Sequence, residues 1–165
     1  MNKSKKVGTA AESAVVRYLR GQGWPHAERR ALRGAQDAGD ITGTPGVCWE
    51  VKAGRAAETA SDGLIADWLE ETEQERQAAR ADIGILITKR PGFGPSRAAS
   101  WWAHTDVHTL RLLLCGDEGV LNSAYPSWPP GEGPTPVRMH LSAAVLLLRQ
   151  AGYGDPPGEE AGVED

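Results

Sequence analysis

Asp40-Ile41-Thr42-Gly43-Thr44-Pro45-Gly46-Val47-Cys48-Trp49-Glu50-Val51-Lys52 is the stretch on which the reading of this chain turns. Asp40 to Thr42 opens a strand. Gly43-Thr44-Pro45-Gly46 is a strong turn signal. Val47 to Lys52 is β-branched and aromatic, and reads as a second strand. The two predict a hairpin. Strand side chains alternate between faces, so Glu50 and Lys52 point one way while Trp49 and Val51 point the other, into packing. The turn folds Asp40 back beside Glu50. Two carboxylates and one ammonium then converge.

The flanks predict an α/β domain. A helix is expected from Thr9 to about Gln22, with Ala11, Val15, Tyr18 and Leu19 at helical spacing and Gly23 as its stop. Ala27 to Ala31 reads as a first strand and Gly34 to Gly39 as a loop. Ala53 to Gly63 is a second loop. A helix follows from about Leu64 to Ala81, its acidic N-terminal half suited to the helix dipole. Ile83 to Thr88 is a continuous apolar run of strand length, the mark of a buried central strand. Pro91 to Pro95 is turn-rich, Ser100 to His104 a strand, and Val107 to Leu114 a short helix. Residues 116–136 are rich in Gly and Pro and read as a long loop or insertion. Leu141-Ser142 starts the last helix, with Ser142 as N-cap and Gly152 as stop. The order predicts a mixed central sheet with helices on both faces. Residues 1–8 read as a basic arm, 9–153 as one domain, and 154–165 as an acidic, disordered tail.

Length and composition narrow the classes. The chain has 165 residues, enough for one domain with a core. It holds no apolar run long enough to span a membrane and no signal-peptide pattern at its start, so a cytoplasmic location is expected. Cys48 and Cys115 lie in apolar neighbourhoods without metal-ligand spacing, and both read as reduced and buried. The net charge of −4 argues against a nucleic-acid partner when taken whole. Its distribution argues otherwise. Residues 1–55 hold ten Lys/Arg against five Asp/Glu, whereas residues 56–82 hold two against eight. A local patch sets phosphate affinity. Ordinary variation of surface charge accounts for the same pattern.

The acid pair suits Mg²⁺, which prefers oxygen ligands and keeps waters beside one or two carboxylates. Held by Asp40 and Glu50, the ion can polarise a phosphate and activate water. Lys52 can orient that water or offset charge on the phosphate. With thirteen Arg and five Lys in the chain, a lysine at this position points to a compact ammonium rather than a planar fork. An exposed charged hairpin face is the plain alternative. For Glu12 two readings stand: an acid aimed at the same ion, or a capping box in Thr9-Ala10-Ala11-Glu12. Arg29, Arg30 and Arg33 could clamp phosphates, or form a solvated basic face. Lys3, Lys5 and Lys6 read equally as a phosphate-binding arm or a solubilising terminus. Asp37 reads as a turn residue. Adjacent Trp101 and Trp102 must face opposite ways: one in the core, the other at a dimer surface or a nucleobase. His104 and His108 read as structural, with no third ligand near them.

These residues resemble the PD-(D/E)XK nuclease superfamily, and more narrowly the archaeal-type Holliday junction resolvases and their actinobacterial phage relatives. The resemblance runs from Lys6-x-Gly8-x-x-x-Glu12 through Arg29-Arg30-Ala31-Leu32, Asp37-Ala38-Gly39-Asp40-Ile41 and Glu50-Val51-Lys52 to Lys89-Arg90. It resumes at Leu147 to Gly154. It departs at Gly39, where the superfamily's name has Pro. It implies a restriction-endonuclease-like fold, with Asp40 and Glu50 as metal ligands, Lys52 as catalytic lysine and Glu12 completing the site. It further implies Mg²⁺ with Mn²⁺ as substitute, and a homodimer acting on DNA four-way junctions. A nuclease for linear or damaged duplex DNA is the nearest alternative. A non-catalytic DNA-binding protein on the same fold is a third.

Overall fold

A computed structural model of the chain describes residues 3–31, 38–115 and 133–156. Arg33, Asp37, most of the Gly/Pro-rich segment and the tail beyond Pro156 lie outside the described residues. The elements are α1 (Lys3–Arg20), β1 (Glu28–Arg29), β2 (Ile41–Thr42), β3 (Val47–Lys52), α2 (Arg55–Glu58) and α3 (Asp62–Ala79). They continue with β4 (Ile83–Thr88), a 3₁₀ segment (Pro95–Ser100), β5 (Trp102–Asp106), α4 (Val107–Cys115), β6 (Pro136–His140) and α5 (Leu141–Gln150).

Four strands form a mixed sheet in the order β3-β4-β5-β6. β3 runs parallel to β4, while β4–β5 and β5–β6 are antiparallel. A parallel pair requires a crossover, and α3 supplies it. Strand alternation then divides the core in two. Trp49, Val51, Ile85 and Ile87 pack with Val15 and Leu19 of α1 and with Leu141 and Leu148 of α5. Leu86 packs on the opposite face with Ile65 and Leu69 of α3. Helices thus cover both faces, as the periodicity implied. α3 is capped by Ser61, whose hydroxyl accepts from the Leu64 N–H at 3.2 Å. α4 is capped by Asp106, which accepts from the Thr109 N–H at 3.0 Å and from its hydroxyl at 2.6 Å.

Several expectations are corrected. α1 starts at Lys3, so Lys5 and Lys6 are exposed helical residues and not a separate arm. Only Gly8 interrupts a run of adequate helix formers there. Thr9 and Glu12 are therefore mid-helix, and no capping box forms. β2 makes its ladder with β1 rather than with β3. Asp40 still lies against β3, because its N–H donates to the Trp49 carbonyl at 2.8 Å. β5 begins two residues later than its apolar pattern suggested. β6 went unread: its outward residues Pro136, Arg138 and His140 are exposed at a sheet edge and give no apolar alternation. It runs directly into α5, so His140 and not Ser142 occupies the N-cap. Cys115 is exposed; Cys48 is buried, and both are free. Among the described residues no helix is long and apolar enough to cross a membrane.

Candidate metal centre

Asp40 is set by its backbone before its side chain acts. The Arg30 N–H donates to the Asp40 carbonyl at 2.7 Å, and the Arg30 side chain donates to the Gly39 carbonyl at 3.0 Å. The Asp40 carboxylate accepts from the Val51 N–H at 2.9 Å, which pins it beside Glu50 on β3. Glu50 is buried, and its Oε1 lies 2.8 Å from Lys52 Nζ. Lys52 Nζ also donates to Glu71 of α3 at 3.0 Å. The two acids and the amine read from the sequence are brought together.

Burial is the largest force on both acids. It pushes Asp40 up to about 7, with Glu50 and then Glu12 adding repulsion against the Val51 N–H, which acts the other way. Burial likewise raises Glu50 to about 7; Lys52 opposes this and Glu75 adds to it. Burial pulls Lys52 down, but its bonds to Glu50 and Glu71 more than offset that, and its pKa lies above the ordinary lysine value. Lys52 is therefore a fixed cation at neutral pH and not a proton acceptor.

No protein-family model, curated protein or solved structure matches the chain.

Glu12 is near enough to repel Asp40, but its carboxylate is bonded to Arg29 at 2.7 Å. Among the described residues no three His, Cys, Asp or Glu side chains are gathered to hold a metal ion. The expected third ligand is thus paired with Arg29. The donor set nevertheless fits Mg²⁺, which is commonly held by one or two carboxylates with water filling the rest. Two desolvated, mutually repelling carboxylates are also what a divalent cation relieves.

Neither the spacing nor the motifs had singled out Glu71 and Glu75. The two lie four apart on one face of α3, opposite Lys52 and Glu50, two apart on β3. Glu75 is buried and raises both Glu50 and Cys48. Its signal in the sequence is an acid on the α3 stripe that carries Trp68, whereas the dipole argument reaches only the acids of the helix's N-terminal half.

Of the two tryptophans, Trp101 is in the core and donates to the Phe93 carbonyl at 3.0 Å, while Trp102 is half-buried on the other face. His104 is buried, with Nε2 2.9 Å from the Thr88 hydroxyl. Burial lowers its pKa to about 4, and Arg138 adds to this. The unfolded chain therefore binds the proton first, and the stability His104 withdraws grows as pH falls from about 6.5 toward 4. In NMR titrations its ring resonances are expected to stay fixed from pH 8 to 5.5. Arg138→Gln should move its midpoint upward.

Proposed function

We propose that this chain is a metal-dependent, structure-selective endodeoxyribonuclease that hydrolyses phosphodiesters in branched DNA, with four-way junctions as its substrate. The observation that carries the reading is the Val51 N–H bond to Asp40, which holds two carboxylates together beside a charged Lys52. A binding module has no need of that costly arrangement.

Further support is topological. A helix, a short β1–β2 pair, β3, a crossover helix and a parallel β4 fit the restriction-endonuclease-like plan implied by the sequence resemblance. Exposed Val107 and Leu114 of α4 and Leu146 of α5 favour the homodimer that paired cuts require. Two free cysteines suit a cytoplasmic protein.

Asp40 and Glu50 would hold Mg²⁺, or Mn²⁺ in its place. When bound, the ion supplies Lewis acidity toward a phosphate oxygen and a more acidic water. Burial of Glu50 and partial burial of Asp40 limit the screening of the two carboxylates by bulk water. Lys52 presents a fixed positive charge where the phosphate gains negative charge. Glu71 and Glu50 hold that ammonium in one position, so little reorganisation is needed during the reaction.

The test incubates the protein with a synthetic four-way junction, a linear duplex and a flap, in Mg²⁺ or EDTA. Paired, symmetric nicks in the junction, absent in EDTA, are expected. Cutting of linear duplex at an equal rate would shift the assignment to a duplex nuclease. Tight junction binding with no cutting in Mg²⁺ or Mn²⁺ would remove the enzyme reading.

A further inference from the structure

One rung of the sheet runs outward from the candidate site. Lys52 is in register with Thr88, Thr88 with Trp102, and Trp102 with His140. Residues paired across a sheet share a face, so all four lie on the α3 side. α3 packs on Leu86 there, whereas Trp102 is half-buried and Arg138 and His140 are exposed. With strands about 4.8 Å apart, the rung extends about 14 Å from Lys52.

Ordered arginines gather around this end of the sheet, Arg90 and Arg138 against Trp102 and Arg97 against the adjoining Phe93. The Arg90 guanidinium lies 4.2 Å from the ring centres of both Phe93 and Trp102. Arg138 lies 4.8 Å from the Trp102 ring, and Arg97 4.4 Å from that of Phe93. His140 stacks on Trp102 at 5.1 Å and 28°, and its Nε2 is 3.0 Å from an Arg90 nitrogen. Among the described residues none of the three arginines makes an ion pair, whereas Arg29, Lys52, Arg76 and Lys89 all do. Aromatic stacking fixes a guanidinium without neutralising it and leaves its N–H edges for a further acceptor. Trp102 is already occupied by these groups, so it orders cations rather than stacking a nucleobase.

We infer that Arg90, Arg97 and Arg138, ordered by Phe93 and Trp102, form a second phosphate-binding platform that grips the backbone of a DNA duplex arm beside the cleavage point. The inference rests on the nuclease reading for its register: 14 Å along the duplex axis is about four base-pair steps at 3.4 Å each. Arg97 also donates to the Gly92 carbonyl, and three arginines without a carboxylate partner among the described residues, beside the rung that starts at Lys52, complement a polyanion that extends beyond the scissile phosphate. The platform also explains how a chain of net charge −4 can bind DNA: the positive charge is concentrated and pre-ordered on one face.

The test compares wild type with the triple variant Arg90→Gln, Arg97→Gln, Arg138→Gln. Binding to a fluorescent four-way junction, a linear DNA duplex and an RNA duplex is measured in EDTA over a salt series. Each lost phosphate contact removes about 0.9 from the slope of log K against log salt. A fall of about 2–3 in slope is expected, with affinity about 100-fold weaker near 0.1 M salt. The triple Lys variant should keep the slope, since charge is retained, and serves as the folded control. An unchanged slope in the Gln variant overturns the platform, as does wild-type binding that shows no salt dependence. A larger slope loss on duplex RNA than on DNA overturns the choice of partner. Cutting in Mg²⁺ is read separately. A slope loss in a protein that never cuts leaves the platform standing without the nuclease, and normal cutting with an unchanged slope does the reverse.

Discussion

Asp40→Asn is expected to abolish Mg²⁺-dependent cutting, by at least about a thousandfold, and at the same time to make the metal-free protein more stable at pH 8. The two effects share one cause. Asp40 is held by the Val51 N–H in a half-buried position facing Glu50, and its pKa rises from 3.8 to about 7. A carboxyl whose folded pKa is raised binds its proton more tightly in the folded state. Stability therefore falls as pH climbs from about 4 to about 7, and the full penalty persists above that. A three-unit shift corresponds to about 4 kcal/mol at 1.36 kcal/mol per unit. Partial exposure of Asp40 screens this to about 2 kcal/mol. Asn keeps an oxygen for the Val51 N–H and removes the charge. At about 2–4 °C per kcal/mol for a chain of this size, the melting temperature should rise by about 4–8 °C in EDTA at pH 8. The gain should shrink as pH falls toward 4 and vanish below about pH 3, where aspartate is protonated in both states. Mg²⁺ should raise the melting temperature of wild type at pH 8 and leave the variant unmoved. Differential scanning fluorimetry over a pH series checks all three. A variant less stable than wild type at pH 8, in EDTA, would falsify the account of a repelling acid pair. Glu50→Gln should equally end cutting while junction binding in EDTA persists.

Much of this arrangement was legible because it depends on period and punctuation. The buried strand Ile83–Thr88 declares itself by six consecutive residues without a charge, and β3 by its β-branched and aromatic run after the Gly-Thr-Pro-Gly turn. The alternation that sends Glu50 and Lys52 one way and Trp49 and Val51 the other follows from backbone geometry alone. What was not legible depends on tertiary partners. The exposed edge strand β6 reads as polar coil because only one side of it meets the core. Glu71 and Glu75 gain their meaning from a helix that lies across β3, and nothing in their own neighbourhood states which strand that is. The Arg90–Trp102–Arg138 stack joins residues almost fifty positions apart through two strand registers. Glu12 lies near enough to repel Asp40, but its bond to Arg29 could not be foreseen, since the sequence offers both residues other uses.

Gly39 is where the chain differs from the nuclease motif that its sequence resembles, and the backbone gives the reason. Its φ is +84°, a region open to glycine and closed to proline, whose ring fixes φ near −65°. A Cβ here would stand 2.7 Å from Cys48 Sγ and 2.9 Å from the Trp49 carbonyl oxygen. That close approach lets the Asp40 N–H reach the Trp49 carbonyl and delivers the Asp40 carboxylate to Val51. Gly39→Pro, which puts the letter of the resembled motif at this position, should therefore cost at least about a hundredfold in cutting, the scale of loss set by an ångström-sized displacement of a reacting group. Gly39→Ala is the graded version. Left-handed backbone strain of up to about 3 kcal/mol predicts a melting temperature lower by about 6–12 °C. Adding Cys48→Ala to Gly39→Ala removes the sulfur contact but not the carbonyl contact, so only part of the loss should return. Salt-dependent binding to a junction in EDTA should survive in both single variants, because the arginine platform does not pass through Gly39. A Gly39→Pro protein that cuts within about tenfold of wild type would show that the position of Asp40 does not depend on this turn. The carboxylate pair would then owe its geometry to β3 alone.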